Sequence, residues 1–209
     1  MITRIECGTG NCFIIGGENG AVLVDTSVKE YRDKIHGVCK DKNIKLIALT
    51  HGHWDHTQNA AYLSKTLNAP IAMHKADYGL ITNNMDEPMS ADKFWGKRLL
   101  SSVKQRIIET DVEPFEPEVF LSDGDTLDAF GAHAEVIGLP GHTKGSIGFY
   151  DGSGIIVGDA LMNIILPTKS LLYGNKTLMD ESVEKICSYA SATVHFGHGK
   201  SIANRKKWT

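Results

Sequence analysis

No run in the sequence approaches the roughly 20 consecutive apolar residues that a membrane-spanning helix needs. The first residues, Met1 to Glu6, lack the apolar region of a secretory signal. These two absences make a cytoplasmic protein, without membrane contact, the expectation. Cysteine is scarce: Cys7, Cys12, Cys39 and Cys187 form no CxxC pair and lie away from the histidine motifs. That favours reduced structural thiols over disulfides. Basic charge is not in excess, and the formal net charge of −3 invites neither nucleic acid nor an anionic membrane. Internal repeats, low-complexity segments and a nucleophile-elbow motif are also missing. What remains is 209 residues of ordinary composition, 42% hydrophobic and 22% charged, which fits one soluble domain with a large core.

Histidine is where the sequence becomes specific. Thr50-His51-Gly52-His53-Trp54-Asp55-His56 places four potential metal ligands, His51, His53, Asp55 and His56, within six residues. Imidazole nitrogen and carboxylate oxygen are ligands for zinc and similar divalent metals. The cluster follows the apolar run Ile44 to Leu49 and precedes a helical pattern carrying Ala60, Leu63 and Leu67. It therefore sits on a turn at the end of a buried strand, where α/β sheets place ligand sites. The same arrangement recurs three times. His142 follows the strand-like run Ala134 to Leu139, Asp159 follows Ile155 to Val157, and His198 follows Thr193 to Phe196. Separate strand ends each deliver one ligand, as a site on a sheet edge requires.

The remaining pattern is mixed. Cys12 to Ile15 and Ala21 to Val24 read as a hairpin around Gly16 to Gly20. Ser27 and Glu30 have the spacing of a capping box, ahead of a helix with Val28, Tyr31, Ile35 and Val38 on one face. Pro70 to Met73, Val119 to Leu121 and Ser146 to Tyr150 are further strands. Asp180-Glu181 opens a helix bearing Val183, Ile186 and Tyr189, and Arg205-Lys206-Lys207 reads as a solvated helix end. Residues 75–117 differ in character. They are rich in methionine and proline and carry an amphipathic helix through Trp95, Leu99, Val103 and Ile107. This segment reads as an insertion, with Met85, Met89, Phe94 and Trp95 forming either one wall of a pocket or a homodimer contact.

The HxHxDH cluster, with His142, Asp159 and His198 in order after it, resembles the metallo-β-lactamase superfamily over Asp25 to His198. The resemblance implies an α+β fold, a four-layer αββα sandwich with two mixed sheets face to face and metals at one edge. It implies two divalent metal ions, zinc foremost, with iron and manganese as alternatives. His51, His53 and His142 would hold one, Asp55, His56 and His198 the other, and Asp159 would bridge. Asp25, at the end of its strand, would either orient a ligand histidine or cap the next helix. His36, His74, His133 and His195 match no ligand position.

The implied reaction is hydrolysis by a metal-bridging hydroxide, with Asp55 passing a proton to the leaving group. Lactamases proper carry Arg at the position of His56 and Cys at that of Asp159, which argues against antibiotics as substrates. The iron-based nitric oxide and oxygen reductases carry Glu at the position of His53. The chain is most similar to short glyoxalase II-like hydrolases, which cleave thioesters, since no segment corresponds to the C-terminal helical domain of full glyoxalase II enzymes. Gly158-Asp159-Ala160-Leu161-Met162 departs from the Gly-Asp-Thr-Leu-Phe of that group. A lactonase, a phosphodiesterase and an iron-dependent, sulfur dioxygenase-like oxidoreductase are the alternatives. A small-molecule substrate, and no nucleic acid, is expected.

Overall fold

Side-chain alternation along the first strands assigns them to two cores at once. In Cys12–Gly16 (β2), Phe13 and Ile15 join one cluster while Cys12 and Ile14 join another. A strand presents successive side chains to opposite faces, so a strand buried on both sides must lie between two layers. The structure, a computed structural model, describes residues 1–8, 10–92, 94–110 and 112–208, with residues 107–109 described in backbone only.

The first sheet contains Ile2–Ile5 (β1), β2, Ala21–Val24 (β3), Ile44–Ala48 (β4), Ile71–Met73 (β5) and Val119–Phe120 (β6), paired in that order. Strands β1 to β3 are antiparallel, and β3 to β6 run parallel. The second sheet has the order β13-β12-β9-β8-β7, from Glu135–Gly138 (β7), Ile147–Tyr150 (β8), Gly154–Ile156 (β9), Thr193–His195 (β12) and Ile202–Ala203 (β13). Leu161–Met162 (β10) and Thr168–Lys169 (β11) form a separate ribbon.

Phe13, Val22, Val24 and Leu46 meet Val136, Ile147, Phe149 and Ile156 between the two sheets. Helices Arg32–Cys39 (α1) and Ala60–Leu67 (α3) cover the outer face of the first sheet through Ile35, Cys39, Ala60 and Leu63. Lys176–Ser188 (α6) covers the second through Met179, Val183 and Ile186. The layers are therefore αββα, as expected. The short Trp54–Thr57 (α2) lies at the sheet edge, while Tyr78–Thr82 (α4) and Phe94–Glu109 (α5) lie between β5 and β6. Among the described residues no helix is long and apolar enough to cross a membrane.

Several local expectations fail for identifiable reasons. Ser27 caps nothing: it is buried with φ 54°, and the first helical turn, Lys29 to Tyr31, has Val28 at its N-cap without a side-chain bond. On α1 the buried positions are Ile35 and Cys39, while Val38 faces solvent. Helix α6 opens at Lys176, ahead of Asp180, because Asn175 accepts the Leu178 N–H and caps it. Arg205 to Lys207 are not helical; Arg205 lies over Trp208, which packs on Phe196. The four cysteines are free, and burial pushes the Cys39 thiol up to about 12.

Candidate metal centre

Strand direction brings the ligands together. Strands β3, β4 and β5 are parallel, so Asp25, the His51 to His56 loop and Asp77 all leave the same edge of the first sheet. In the second sheet β7 and β9 are each antiparallel to β8, and β9 is parallel to β12. Strands β7, β9 and β12 therefore run one way and release His142, Asp159 and His198 at one edge. The Ile147 N–H donates to the Thr50 carbonyl at 2.8 Å and joins the two edges.

All seven sequence-predicted ligands converge. Their ligand atoms fall into three overlapping sets, each within 4.8 Å: His51, His53 and His142; His51, His56 and Asp159; and Asp55, His56 and His198. Asp159 spans the sets. Its Oδ1 lies 3.4 Å from His56 Nε2, while its Oδ2 lies 3.3 Å from His198 Nε2 and 3.7 Å from His142 Nε2. Asp55 Oδ2 is 3.4 Å from His198 Nε2. Gly197 makes this proximity possible, since a Cβ there would stand 2.5 Å from Asp159 Oδ1. The other histidines stay out: His74 accepts the Ala76 N–H, His133 pairs with Asp128, His195 with Ser201, and His36 packs on Tyr62.

Nε2 of His51, His53 and His56 and Oδ1 of Asp159 are buried without a hydrogen-bond partner, although His56 Nε2 and Asp159 Oδ1 face each other at 3.4 Å, and His53 turns its Nδ1 to His142 Nε2 at 3.0 Å. Each orphaned buried polar atom costs on the order of 1–3 kcal/mol, and folded proteins leave few of them. Nε2 of His51 and His56, Oδ1 of Asp159 and Nδ1 of His53 turn into one cluster, a donor set that fits divalent cations better than a satisfied polar core. The back sides of the rings are held. Asp25 Oδ2 lies 2.8 Å from His56 Nδ1, the Thr50 hydroxyl 3.0 Å from His51 Nδ1, and the Leu172 carbonyl 2.9 Å from His142 Nδ1. Such partners set the tautomer and aim of a metal-binding imidazole. Asp25 thus orients a histidine and is not a helix cap. Its φ of 58° is unusual for a non-glycine residue and turns the carboxylate beneath Thr50 and His56.

Burial, reinforced by neighbouring imidazoles, pulls His51 well below its ordinary range and His53 to about 3, so both are neutral and competent as ligands. For His56 and His198 burial pulls down as well. The carboxylates of Asp25 and Asp159 outweigh it at His56, and those of Asp159 and Asp55 raise His198 to about 10. Asp55 is pushed up by burial, but the bond from His198 and the charge of His56 bring it to about 2.

The sequence reading passes over Asp77. Its buried carboxylate accepts from Gly52 N–H (3.0 Å), Gly145 N–H (2.6 Å) and the Thr143 hydroxyl (2.7 Å), tying the His51–His53 turn to the His142 loop. Burial raises its carboxyl against the pull of these donors. Asn84 adds a second tie by accepting the Trp54 N–H at 2.6 Å. Asp77 follows the end of β5, so the strand-end rule that finds the histidines also points to it.

A cleft of about 340 Å³ opens above the cluster, with His53, Asp55, His142, Asp159 and His198 at its base. The segment expected to wall it does so in part. Met89, Leu99 and Val103 line the cleft, whereas Phe94 and Trp95 meet edge to face outside it, 70% and 69% exposed. Met85 is also outside the lining. The side chain of Ile107 lies outside the described residues.

Fold and edge cluster together define an αββα protein with a candidate metal centre at one sheet edge. The chain belongs to the metallo-β-lactamase superfamily, whose sequence profile matches residues 5–198. An uncharacterized protein of Mycobacterium leprae is 28% identical over 200 residues, 91% of this chain and 87% of its own. The hydroxyacylglutathione hydrolase GloC of Haemophilus influenzae is 31% identical over 145 residues, 68% of this chain and 60% of its own. Among solved structures, TTHA1623 in a di-iron-bound form superposes with a TM-score of 0.69 at 23% identity, over 97% of this chain and 94% of that one.

Proposed function

We propose that the protein is a hydrolase carrying two divalent cations, zinc foremost, and acting on a small thioester or ester. The observation that carries this reading is the set of buried, unpartnered ligand atoms at the base of an apolar cleft. His51, His53 and His142 would hold one cation, Asp55, His56 and His198 the other, with Asp159 shared. When bound, the cations make water nucleophilic at neutral pH and polarise the carbonyl under attack.

The chain's own groups do the rest. Asp25, Thr50 and the Leu172 carbonyl keep three imidazoles aimed inward. Asp55 and Asp159 bring two negative charges that offset repulsion between the cations. Asp55 is ionised and lines the cleft, so it is placed to take the proton lost in the attack and return it to the leaving group. Similarity to a hydroxyacylglutathione hydrolase favours a thioester over the lactone and phosphodiester alternatives. The di-iron-bound structure of the same fold supports iron as the second reading for the metal.

The test is a panel of thioester, ester, lactone and phosphodiester substrates, with persulfide-dependent oxygen uptake alongside. Thioester cleavage should disappear on chelation, return with zinc, and be absent in Asp159→Ala. Cleavage that survives both chelation and Asp159→Ala would remove the metal from the reaction. Oxygen uptake without hydrolysis, in iron-loaded protein, would select the oxidoreductase.

A further inference from the structure

The wall contributed by α5 is a stripe with a charge at its end. Leu99, Val103 and Arg106 all line the cleft. Their spacing of four and then three residues places them on one face of the helix, on successive turns. Met162, Ile164 and Leu172 supply apolar surface elsewhere in the same cleft. Among the described residues that line it, Arg106 is the one lysine or arginine. The cleft therefore combines a cluster of candidate ligands, aliphatic walls and a single guanidinium.

Two apolar side chains on that stripe would suffice to hold an uncharged acyl chain. A cation following them serves no packing purpose, because Arg106 is exposed. A guanidinium offers a rigid fork of donors that matches a carboxylate, and it keeps its charge at any working pH. We propose that Arg106 is a specificity residue that binds a terminal carboxylate of the substrate, selecting acyl compounds with an apolar segment between the reacting carbonyl and an anionic end. This rests on the hydrolase reading above for the reacting end, and on the α5 stripe for the other.

The test uses the zinc-loaded protein, and its probes are a homologous series of ω-mercaptocarboxylates and uncharged alkanethiols of the same chain lengths. Calorimetry should show one chain length at which the carboxylate compound binds about ten-fold tighter than its uncharged partner, the size expected of a charge-assisted hydrogen bond. Arg106→Leu keeps an apolar side chain on the stripe and should bring that ratio to about one, while Arg106→Lys should retain part of it. Independently, the Arg106 Nε–H resonance, identified by its absence in Arg106→Leu, should move with the carboxylate series and stay still with the alkanethiols. This second readout does not depend on turnover. A still resonance, or a preference that survives in Arg106→Leu, overturns the proposal. The two readings fail separately. A moving resonance without hydrolysis of any thioester or ester leaves Arg106 in place and removes the reaction. Hydrolysis indifferent to terminal charge, with a still resonance, does the reverse.

Discussion

Asp25 Oδ2 and His56 Nδ1 are 2.8 Å apart, with both side chains fully buried. The pair links the end of β3 to the HxHxDH loop and leaves His56 Nε2 facing Asp159. Asp25 also accepts from the Thr50 N–H and hydroxyl, so its loss would leave three donors behind the cluster. Replacing Asp25 with Ala should weaken metal binding by about 10–100-fold, the usual range for a partner behind a metal-binding histidine. Chelator competition measures it, and unchanged affinity would reduce Asp25 to a structural role.

Asp77 should matter to the centre and to folding. Asp77→Ala strands the N–H groups of Gly52 and Gly145, and each stranded buried donor costs on the order of 1–3 kcal/mol. Urea unfolding of the metal-free protein should show a loss of about 2–4 kcal/mol, with Asp77→Asn retaining part of the stability. Metal occupancy at the His51, His53 and His142 set should fall more than at Asp55, His56 and His198, since Asp77 ties only the first two loops.

Metal uptake should release protons. In the metal-free protein carboxylates hold His56 above its ordinary range and His198 at about 10, so both carry a proton at neutral pH. A cation must displace those protons, and affinity should therefore rise with pH. Calorimetry in buffers of different ionisation enthalpy should detect the release, and its absence would mean that the two imidazoles are already neutral. Folding carries the matching sign. His198 stabilises the metal-free form fully below its ordinary 6.5, and that contribution is lost as pH rises through about 10.

Substrate preference should follow the inner face of α5. Leu99→Ala and Val103→Ala enlarge the cleft and should raise KM for an acyl substrate several-fold without changing metal content. Phe94→Ala and Trp95→Ala remove exposed rings outside the lining and should leave KM unchanged. Equal effects from both pairs would place the substrate against the outer face instead.

The cluster of candidate ligands is legible in the sequence because each member follows an apolar run of strand length, and strand ends are where a sheet edge gathers side chains. The sandwich is legible through the resemblance, whereas the opposite facing of Phe13 and Ile14 is not, because an unbroken apolar run does not say which side chain meets which layer. Arg106 is harder to read because a single charge on an amphipathic helix looks like a solvated face, and Asp77, though it follows a strand, stands in no histidine motif that would mark it. Ser27 misleads because the capping pattern is satisfied by residue type, while the backbone there turns with positive φ to seat Asp25 below the cluster. Phe94 and Trp95 mislead because periodicity places a stripe on a helix but does not say which stripe faces inward.

The metal count after full reconstitution tests the central claim most directly. Seven candidate ligands in overlapping sets, with Asp159 3.7 Å from His142 on one side and 3.3 Å from His198 on the other, predict two divalent ions per chain by elemental analysis. Asp159→Ala should lose metal and activity together, beyond any single imidazole replacement among Asp55's partners. A wild-type count of one or fewer, with the protein folded and the ligands intact, would contradict the dinuclear centre.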